Sequence, residues 1–286
     1  MKIIYIGSAG PLSVIPLTEL IKSKHSLCAI AFDDDLVSDF NVTTSNSIQS
    51  LALKNSIPLV KLDKYYVTAL EELQSYQADI ILVSCYSRLL PHSILSLAKK
   101  GCFNLHPSLL PAFRGPNPVF WQFREGINNF GITLHRISTE YDTGNILSQK
   151  KLAMPDGINK NEATVLLANA ASELMLTTLD DIENNHTAEY EQDSNNASYQ
   201  SFPVKSDYRV SVLWEAKHIY NFICAIEVPG TLFPCEIDGY IYYLIHAYSY
   251  QTKPYDGMDN ITILVKDETI FFACQDGYVC CQIKLG

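Results

Sequence analysis

The first two-thirds of the chain alternates short apolar runs with longer segments in which apolar residues recur at helical spacing. The apolar, β-branched runs predict buried strands at 2–6, 27–32, 57–61, 79–84, 102–106 and 130–137. The helical patterns predict helices at 12–24, 47–54, 65–76, 92–99, 117–125 and 162–182. This alternation predicts right-handed βαβ units and therefore an α/β fold with a doubly wound, Rossmann-like, mainly parallel sheet.

The pattern changes after residue 184. Residues 185–207 are polar and rich in Asn and Ser, which predicts a linker or an extended crossing segment. A short helix is predicted at 214–224, followed by five aromatic-rich runs of β character separated by Gly and Asp turns. We therefore expect a first domain at 1–184, a linker at 185–207, and a small C-terminal β-barrel of the OB type at 208–286.

Composition narrows the class of protein. The chain has 286 residues, is 47% hydrophobic and carries a formal net charge of −10, so a general attraction to phosphate backbones is not expected. The eight cysteines lack CxxC spacing, which favours reduced thiols over a metal site or disulfide framework. The N-terminal MKIIYIG is typical of a first strand, and no long apolar span follows it. We expect a soluble, cytoplasmic protein without a membrane partner; no sequence feature indicates an oligomeric interface.

The most informative residues are Asn104, His106 and Asp142. Asn104 and His106 lie two apart at the end of the strand 102–106, so their side chains are expected on one face of the sheet at its carboxyl end. Asp142 follows one helix and one strand, which can return the chain beside that strand. A carboxamide, an imidazole and a carboxylate around one carbonyl group suit acyl transfer to nitrogen, in which an oxyanion is stabilised and a proton moved.

Other residues are candidates for binding a substrate. The loop GSAG at 7–10 follows the first strand but lacks the full GxGxxG spacing, so a dinucleotide site is not favoured. Gly7, Ser8 and Gly10 are instead expected near a phosphate or carboxylate at the start of the first helix. Ser108 and Arg114 follow the strand that bears Asn104 and His106. The aromatic residues of 113–123 either stack on a nucleobase or belong to the core.

Two motifs carry a family resemblance. The segments NLHPSLLPAFRG (104–115) and GITLHRISTEYDTG (131–144) resemble the signature of the 10-formyltetrahydrofolate-dependent formyltransferases. That family includes methionyl-tRNA, glycinamide ribonucleotide and sugar-nucleotide N-formyltransferases, and the resemblance covers about residues 1–184. It implies 10-formyltetrahydrofolate as co-substrate, no metal, and a catalytic trio of Asn104, His106 and Asp142. It also implies folate binding by 83–91 and the loop 138–142, with the residues Tyr86, Arg88, Leu89, Leu90, Thr139, Glu140 and Tyr141.

The resemblance assigns roles to the trio. Asn104 and a protonated His106 are expected to stabilise negative charge on the formyl oxygen, and Asp142 to accept the proton of the attacking amine. Asp142 is also expected to raise the pKa of His106. His135, on the neighbouring strand, is interpreted as structural or as lining the acceptor site.

The acceptor is predicted from charge. Residues 33–47 contain four aspartates and no Lys or Arg, and residues 205–286 carry six Lys or Arg against ten Asp or Glu. Because backbone contacts dominate tRNA affinity, these segments disfavour methionyl-tRNA. We therefore predict a small-molecule amine acceptor such as an amino-sugar nucleotide, with methionyl-tRNA formyltransferase as the alternative. A formyltetrahydrofolate hydrolase and an inactive folate-binding or nucleotide-binding module are less favoured.

Overall fold

The computed structural model describes residues 1–33, 47–253 and 263–284, so most of the acidic segment 33–47 lies outside the described residues. The chain forms two compact units. Unit one comprises Met1–Pro118, Phe130–Leu152 and Thr164–Gln200, and unit two comprises Val119–Asn129, Ala153–Ala163 and Ser201–Gly286. This division differs from the predicted domains, because the first part of the expected linker, 185–200, belongs to unit one.

A seven-stranded sheet forms the centre of unit one. Its strands are β1 (Lys2–Gly7), β2 (Ser26–Phe32), β3 (Leu59–Lys61), β4 (Ile80–Ser84), β5 (Gly101–His106), β6 (Asn129–Arg136) and β7 (Ile146–Ala153). The order is β3-β2-β1-β4-β5-β6-β7, and the pairs from β3 to β5 are parallel. The pairing of β5 with β6 is antiparallel. The predicted Rossmann-like, mainly parallel α/β fold is therefore confirmed.

The helices agree with the predicted positions except in one case. They are α1 (Pro11–Lys22), α2 (Ile48–Lys54), α3 (Val67–Ser75), α4 (His92–Leu95), α5 (Pro118–Arg124) and α6 (Lys160–Glu183). The predicted helix at 92–99 is wrong in length, because α4 ends at Leu95 and the chain turns towards β5 through a bond from Lys99 N–H to the Ala78 carbonyl. β7 was not predicted, because half of its sequence, ILSQKKLA, is polar, as suits a strand at the sheet edge.

Burial on both faces of the sheet explains why the central strands of unit one have continuous apolar sequences. Every residue of β4 is buried, and so is every residue of β1 after Lys2. Both strands lie in the middle of the sheet, where each face is covered. Their carboxyl ends are therefore fixed in place, and the segment that follows β4 is presented at that edge of the sheet.

Unit two contains the five predicted C-terminal strands. They are β8 (Phe233–Ile237), β9 (Tyr240–Gln251), β10 (Ile263–Lys266), β11 (Thr269–Ala273) and β12 (Tyr278–Ile283), preceded by α7 (Ala216–Ile226). All pairings are antiparallel, in the order β10-β11-β12-β9-β8, and α7 packs against β9 and β12. The structure thus contains a five-stranded antiparallel sheet, and its closure into a barrel stays a prediction.

Among the helices of the described segments, none combines the length and the apolar character that crossing a bilayer requires.

The turn between β1 and α1 is tightly packed around Gly7. A Cβ added at Gly7 would lie 2.2 Å from the Ser13 Oγ and 2.8 Å from the Tyr5 ring. The Ser13 hydroxyl donates to the Ser84 carbonyl (3.2 Å) and accepts from the Ser8 N–H (3.1 Å). This hydroxyl therefore joins the turn after β1 to the end of β4.

Gly7→Ala is expected to lower the free energy of unfolding by about 1–3 kcal/mol, because the added methyl group overpacks the Ser13 hydroxyl. In the double variant Gly7→Ala/Ser13→Ala the loss should be smaller than the sum of the two single losses, since one clash is relieved. Urea unfolding of the four proteins measures this coupling. Strict additivity would contradict the packing described.

Candidate active site

Three polar side chains share one face of the sheet at the end of β5. Asn104 and His106 lie two residues apart on β5, and the antiparallel register places His135 of β6 directly opposite Asn104. The Asn104 Nδ2 lies 3.2 Å from the His135 Nε2. The rings of His106 and His135 meet edge to face, with centroids 6.2 Å apart. The sheet therefore supplies an amide and two imidazoles side by side.

The loop after β6 brings Asp142 to this group. Its Oδ2 accepts a hydrogen bond from the Gly115 N–H at 2.9 Å. Its Oδ1 lies 3.4 Å from the Asn104 Nδ2 and 3.5 Å from both the His106 Nδ1 and the His135 Nε2. Asn104 and His106, two of the residues predicted from the sequence, thus lie beside the carboxylate of the third, Asp142.

Backbone carbonyls determine the protonation of the two imidazoles. The His106 Nε2 lies 2.8 Å from the Phe113 carbonyl oxygen, and the His135 Nδ1 lies 2.9 Å from the Arg136 carbonyl oxygen. A carbonyl only accepts, so each of these nitrogens carries a proton. In its neutral form, His106 therefore presents the lone pair of Nδ1 to Asp142.

Burial and charge act in opposite directions in this cluster. Burial of His106 lowers its pKa, and this effect and the nearby His135 outweigh the opposing effects of Asp142 and the Phe113 carbonyl. Asp142 does raise the pKa of His106, as predicted, but burial outweighs this contribution, so the protonated His106 expected from the sequence is not favoured. Burial also opposes ionisation of Asp142, but His106, His135 and the Gly115 N–H together hold its pKa below the usual range.

A cleft of about 390 Å³ opens beside the cluster. Its walls are formed by Val83, Tyr86, Arg88, Leu89, Leu90, Asn104, His135, Ile137, Ser138, Glu140, Tyr141 and Asp142. Six of the seven predicted folate-binding residues are in this set, and Thr139 is the exception. At this cleft, Arg88 pairs with the buried Asp33 at 2.5 Å, and the hydroxyls of Tyr66 and Tyr86 are 2.8 Å apart.

The residues predicted to bind substrate lie elsewhere. Gly7, Ser8 and Gly10 form the turn before α1 and are not part of the cleft wall. Ser108 is fully buried, and its hydroxyl donates to the Ala112 carbonyl at 2.7 Å. The Arg114 guanidinium donates to the Gln192 Oε1. Ser108 and Arg114 therefore make internal contacts that shape the loop after β5.

Two residues of this site were underestimated or missed. His135 was placed on the neighbouring strand, but its position opposite Asn104 depends on a register that apolar patterning does not specify. Gln192 lies in the polar segment interpreted as a linker, and its Nε2 donates to the carbonyl oxygens of Asp142 (2.8 Å) and Gly144 (2.7 Å). An amide in a polar, Asn-rich segment gives no signal in the sequence.

Residues 1–179 match the formyl transferase family, which is more than half of the chain. The chain belongs to the formyltetrahydrofolate-dependent formyltransferase family. It is therefore an enzyme of the folate-dependent N-formyltransferase class, as the two sequence motifs predicted.

The proteins that this chain resembles are named for different acceptors. The chain is 28% identical to a methionyl-tRNA formyltransferase of Syntrophomonas wolfei over 79% of its length and 73% of the relative's. It is 30% identical to that of Staphylococcus epidermidis, over 78% and 72% of the two lengths. Among solved structures, an N-formyltransferase from Helicobacter canadensis in complex with folinic acid and dTDP-3-aminofucose superposes with a TM-score of 0.72 at 18% identity, covering 100% of both chains.

A second solved structure, WlaRD, is described as a sugar 3N-formyl transferase in the presence of dTDP and 5-N-formyl-THF. It covers 100% of this chain and 98% of its own, with a TM-score of 0.69 and 18% identity. At these identities the superpositions establish a shared fold.

The balance of charges at His106 is testable by NMR. His106 is expected to titrate below the ordinary histidine value of about 6.5. In Asp142→Asn its pKa should fall further, because the carboxylate that favours its protonation is removed. Titration of the ¹⁵N-labelled imidazole in both proteins measures this. A higher His106 pKa in the variant would contradict the assigned electrostatics.

Proposed function

We propose that the protein transfers a formyl group from 10-formyltetrahydrofolate to the primary amine of a small-molecule acceptor, with an amino-sugar nucleotide as the leading class. The observation that carries this proposal is the convergence of Asn104, His106 and Asp142 at the wall of a cleft lined by 83–90 and 137–142. An ionised carboxylate, an amide donor and a neutral imidazole are the groups that acyl transfer to nitrogen requires.

The cleft fits a folate by its chemistry. The wall combines apolar side chains such as Leu90 and Ile137 with the aromatic Tyr86 and Tyr141, and its Arg88 guanidinium is paired with Asp33. An apolar and aromatic wall of this kind suits a flat heteroaromatic ring. When bound, 10-formyltetrahydrofolate would supply the formyl carbonyl for transfer. The ligands named for the two superposed structures, folinic acid and 5-N-formyl-THF, support this choice of co-substrate.

Asn104 and Asp142 have different roles when the acceptor amine attacks the formyl group. The Asn104 amide can donate to an oxygen that gains negative charge, and one such donor is typically worth about 3–4 kcal/mol of barrier. Asp142 is ionised at neutral pH because its pKa is lowered. It can therefore take a proton from a nitrogen that becomes cationic as it attacks, although its low basicity requires that the proton move on.

His106 is placed to receive that proton. Its Nδ1 lone pair lies 3.5 Å from the Asp142 Oδ1, and its Nε2–H is held by the Phe113 carbonyl. A proton that reaches Asp142 is thus shared with His106, and the two groups titrate as a pair. In this proposal His106 acts as a neutral imidazole at the start of the reaction, in place of the imidazolium expected from the sequence. As the bond between the formyl carbon and N10 breaks, this pair would donate the proton to N10, so that neutral tetrahydrofolate leaves.

Two observations favour a small acceptor. Two solved structures superpose with this chain over 98–100% of both lengths, and they are named as a sugar 3N-formyl transferase and as an N-formyltransferase in complex with dTDP-3-aminofucose. The excess of acidic over basic residues in 205–286 also opposes a phosphate backbone. The sequence matches to methionyl-tRNA formyltransferases keep that acceptor as the second candidate.

Asp142→Asn and His106→Ala are each expected to lower kcat at least about a hundredfold, because each removes one partner of the proton-accepting pair. Lys151→Ala, an exposed position on β7, serves as the matched control and should retain wild-type turnover. Tetrahydrofolate release is followed with the acceptor that the wild type uses. Near-wild-type turnover in either site variant would refute the assigned roles.

The acceptor is tested by measuring tetrahydrofolate release with amino-sugar nucleotides and with charged initiator methionyl-tRNA in parallel. Release with a sugar nucleotide alone is the expected result. Release with the tRNA alone would replace the acceptor and keep the formyl transfer. Release with water alone would make the protein a formyltetrahydrofolate hydrolase.

A further inference from the structure

Gln192 lies beyond the residues that match the family, yet its side chain holds the loop that carries Asp142. Its Nε2 donates to the carbonyl oxygens of Asp142 and Gly144, at 2.8 and 2.7 Å. Its Oε1 accepts from the Nε and Nη2 of Arg114, at 3.1 and 2.7 Å. The amide therefore uses both hydrogens and both lone pairs.

The direction of this amide is fixed by its partners. A carbonyl oxygen only accepts and a guanidinium only donates, so a reversed Gln192 amide would face acceptor with acceptor and donor with donor. Arg114 thereby orients Gln192, and Gln192 in turn fixes the main chain at Asp142. Arg114 acts on the site through this chain of contacts.

The Asp142 loop has a backbone that needs such support. Asp142 adopts a left-handed conformation with φ of 55°, which few residues other than glycine occupy. A Cβ added at Gly144 would lie 1.9 Å from the Arg136 carbonyl oxygen, so the loop closes tightly on the end of β6. Two hydrogen bonds from one amide tie both ends of this turn together.

The same segment also orients the Asp142 carboxylate. The Arg114 N–H donates to the Ser198 carbonyl, and the Gln200 N–H donates to the Arg114 carbonyl, each at 2.9 Å. These bonds fix the backbone at Arg114, and the next N–H, that of Gly115, donates to the Asp142 Oδ2. Residues 190–200 thus hold Asp142 through its main chain and through its side chain.

His106 is held by the same segment. The Ser198 Oγ accepts from the Phe113 N–H at 2.8 Å, and the Phe113 carbonyl accepts from the His106 Nε2–H at 2.8 Å. The orientation and the tautomer of His106 therefore depend on a carbonyl that Ser198 helps to place. We call residues 190–200 the strap.

We propose that the strap positions the catalytic pair, with Gln192 as its principal residue. The inference rests on the proposed function, because it assigns the strap to the roles given there to Asp142 and His106. No strap residue is part of the cleft wall. Gln192 is therefore a positioning residue that acts through Asp142 and does not bind the co-substrate.

The test compares Gln192→Ala, which removes all four bonds, with Gln192→Glu, which keeps the acceptor for Arg114 and loses both donors to the loop. Arg114→Met and Arg114→Lys form a second pair, since lysine retains one donor for the Gln192 Oε1. Lys151→Ala, the exposed position on β7 outside the strap, is the control and should match the wild type. Thermal unfolding establishes that each protein is folded.

Both Gln192 variants are expected to lower kcat by about 10–100-fold, the usual cost of losing a group that orients a catalytic residue. The KM for 10-formyltetrahydrofolate should stay close to that of the wild type, because the cleft wall is intact. The pKa of His106, followed by NMR without any substrate, should fall further, because Asp142 leaves its fixed place. Arg114→Met should lower kcat, and Arg114→Lys should restore part of it.

Wild-type kcat and wild-type His106 pKa in a folded Gln192→Ala would overturn the inference. If Gln192→Ala does not fold, the two Arg114 variants provide the test. Arg114→Met with the kcat of the wild type would also overturn the inference. Failure of the proposed function looks different. In that case the wild type releases no tetrahydrofolate with any acceptor, and the His106 pKa still reports whether the strap holds Asp142.

Discussion

A largely buried carboxylate must remain ionised in this site, and the surrounding structure is arranged around that requirement. The Asp142 side chain is 13% exposed, and an isolated charge at such a depth costs several kcal/mol. The Gly115 N–H compensates at one oxygen, and the side chains of Asn104, His106 and His135 surround the other. These partners come from β5, from β6 and from the loop after β5, so the charge is stable only where sheet and loops are correctly assembled.

The same burial has the opposite consequence for His106. Both groups lose solvent, and solvent loss favours the neutral form of each. Asp142 stays ionised beside the Gly115 N–H, the Asn104 amide and the two imidazoles, whereas His106 faces one carboxylate, one carbonyl and a second imidazole, and its pKa stays low. The result is a carboxylate beside a neutral ring with a free lone pair, which is an arrangement suited to accepting a proton.

Sequence patterning captured the parts of this protein that depend on local spacing. The continuous apolar runs indicated the buried parallel strands, and the strand ending at His106 placed Asn104 and His106 on one face. β7 escaped notice because an edge strand does not need an apolar pattern. His135 was interpreted as structural or as lining the acceptor site, but its contacts with Asn104 and Asp142 were not predicted. Those contacts and the contacts of Gln192 depend on register and on residues distant in sequence, which periodicity does not encode. The sign of the His106 pKa escaped because it depends on burial, which a motif does not specify.

The position of the strap along the chain has a consequence for how the site is completed. Synthesis runs from the N-terminus, so β5, β6 and the Asp142 loop exist before residues 190–200 are made. Until those residues arrive, the turn at Asp142 lacks the Gln192 amide, and the Phe113 and Arg114 backbone lacks its Ser198 partner. The groups that perform the chemistry are therefore encoded before the segment that aligns them.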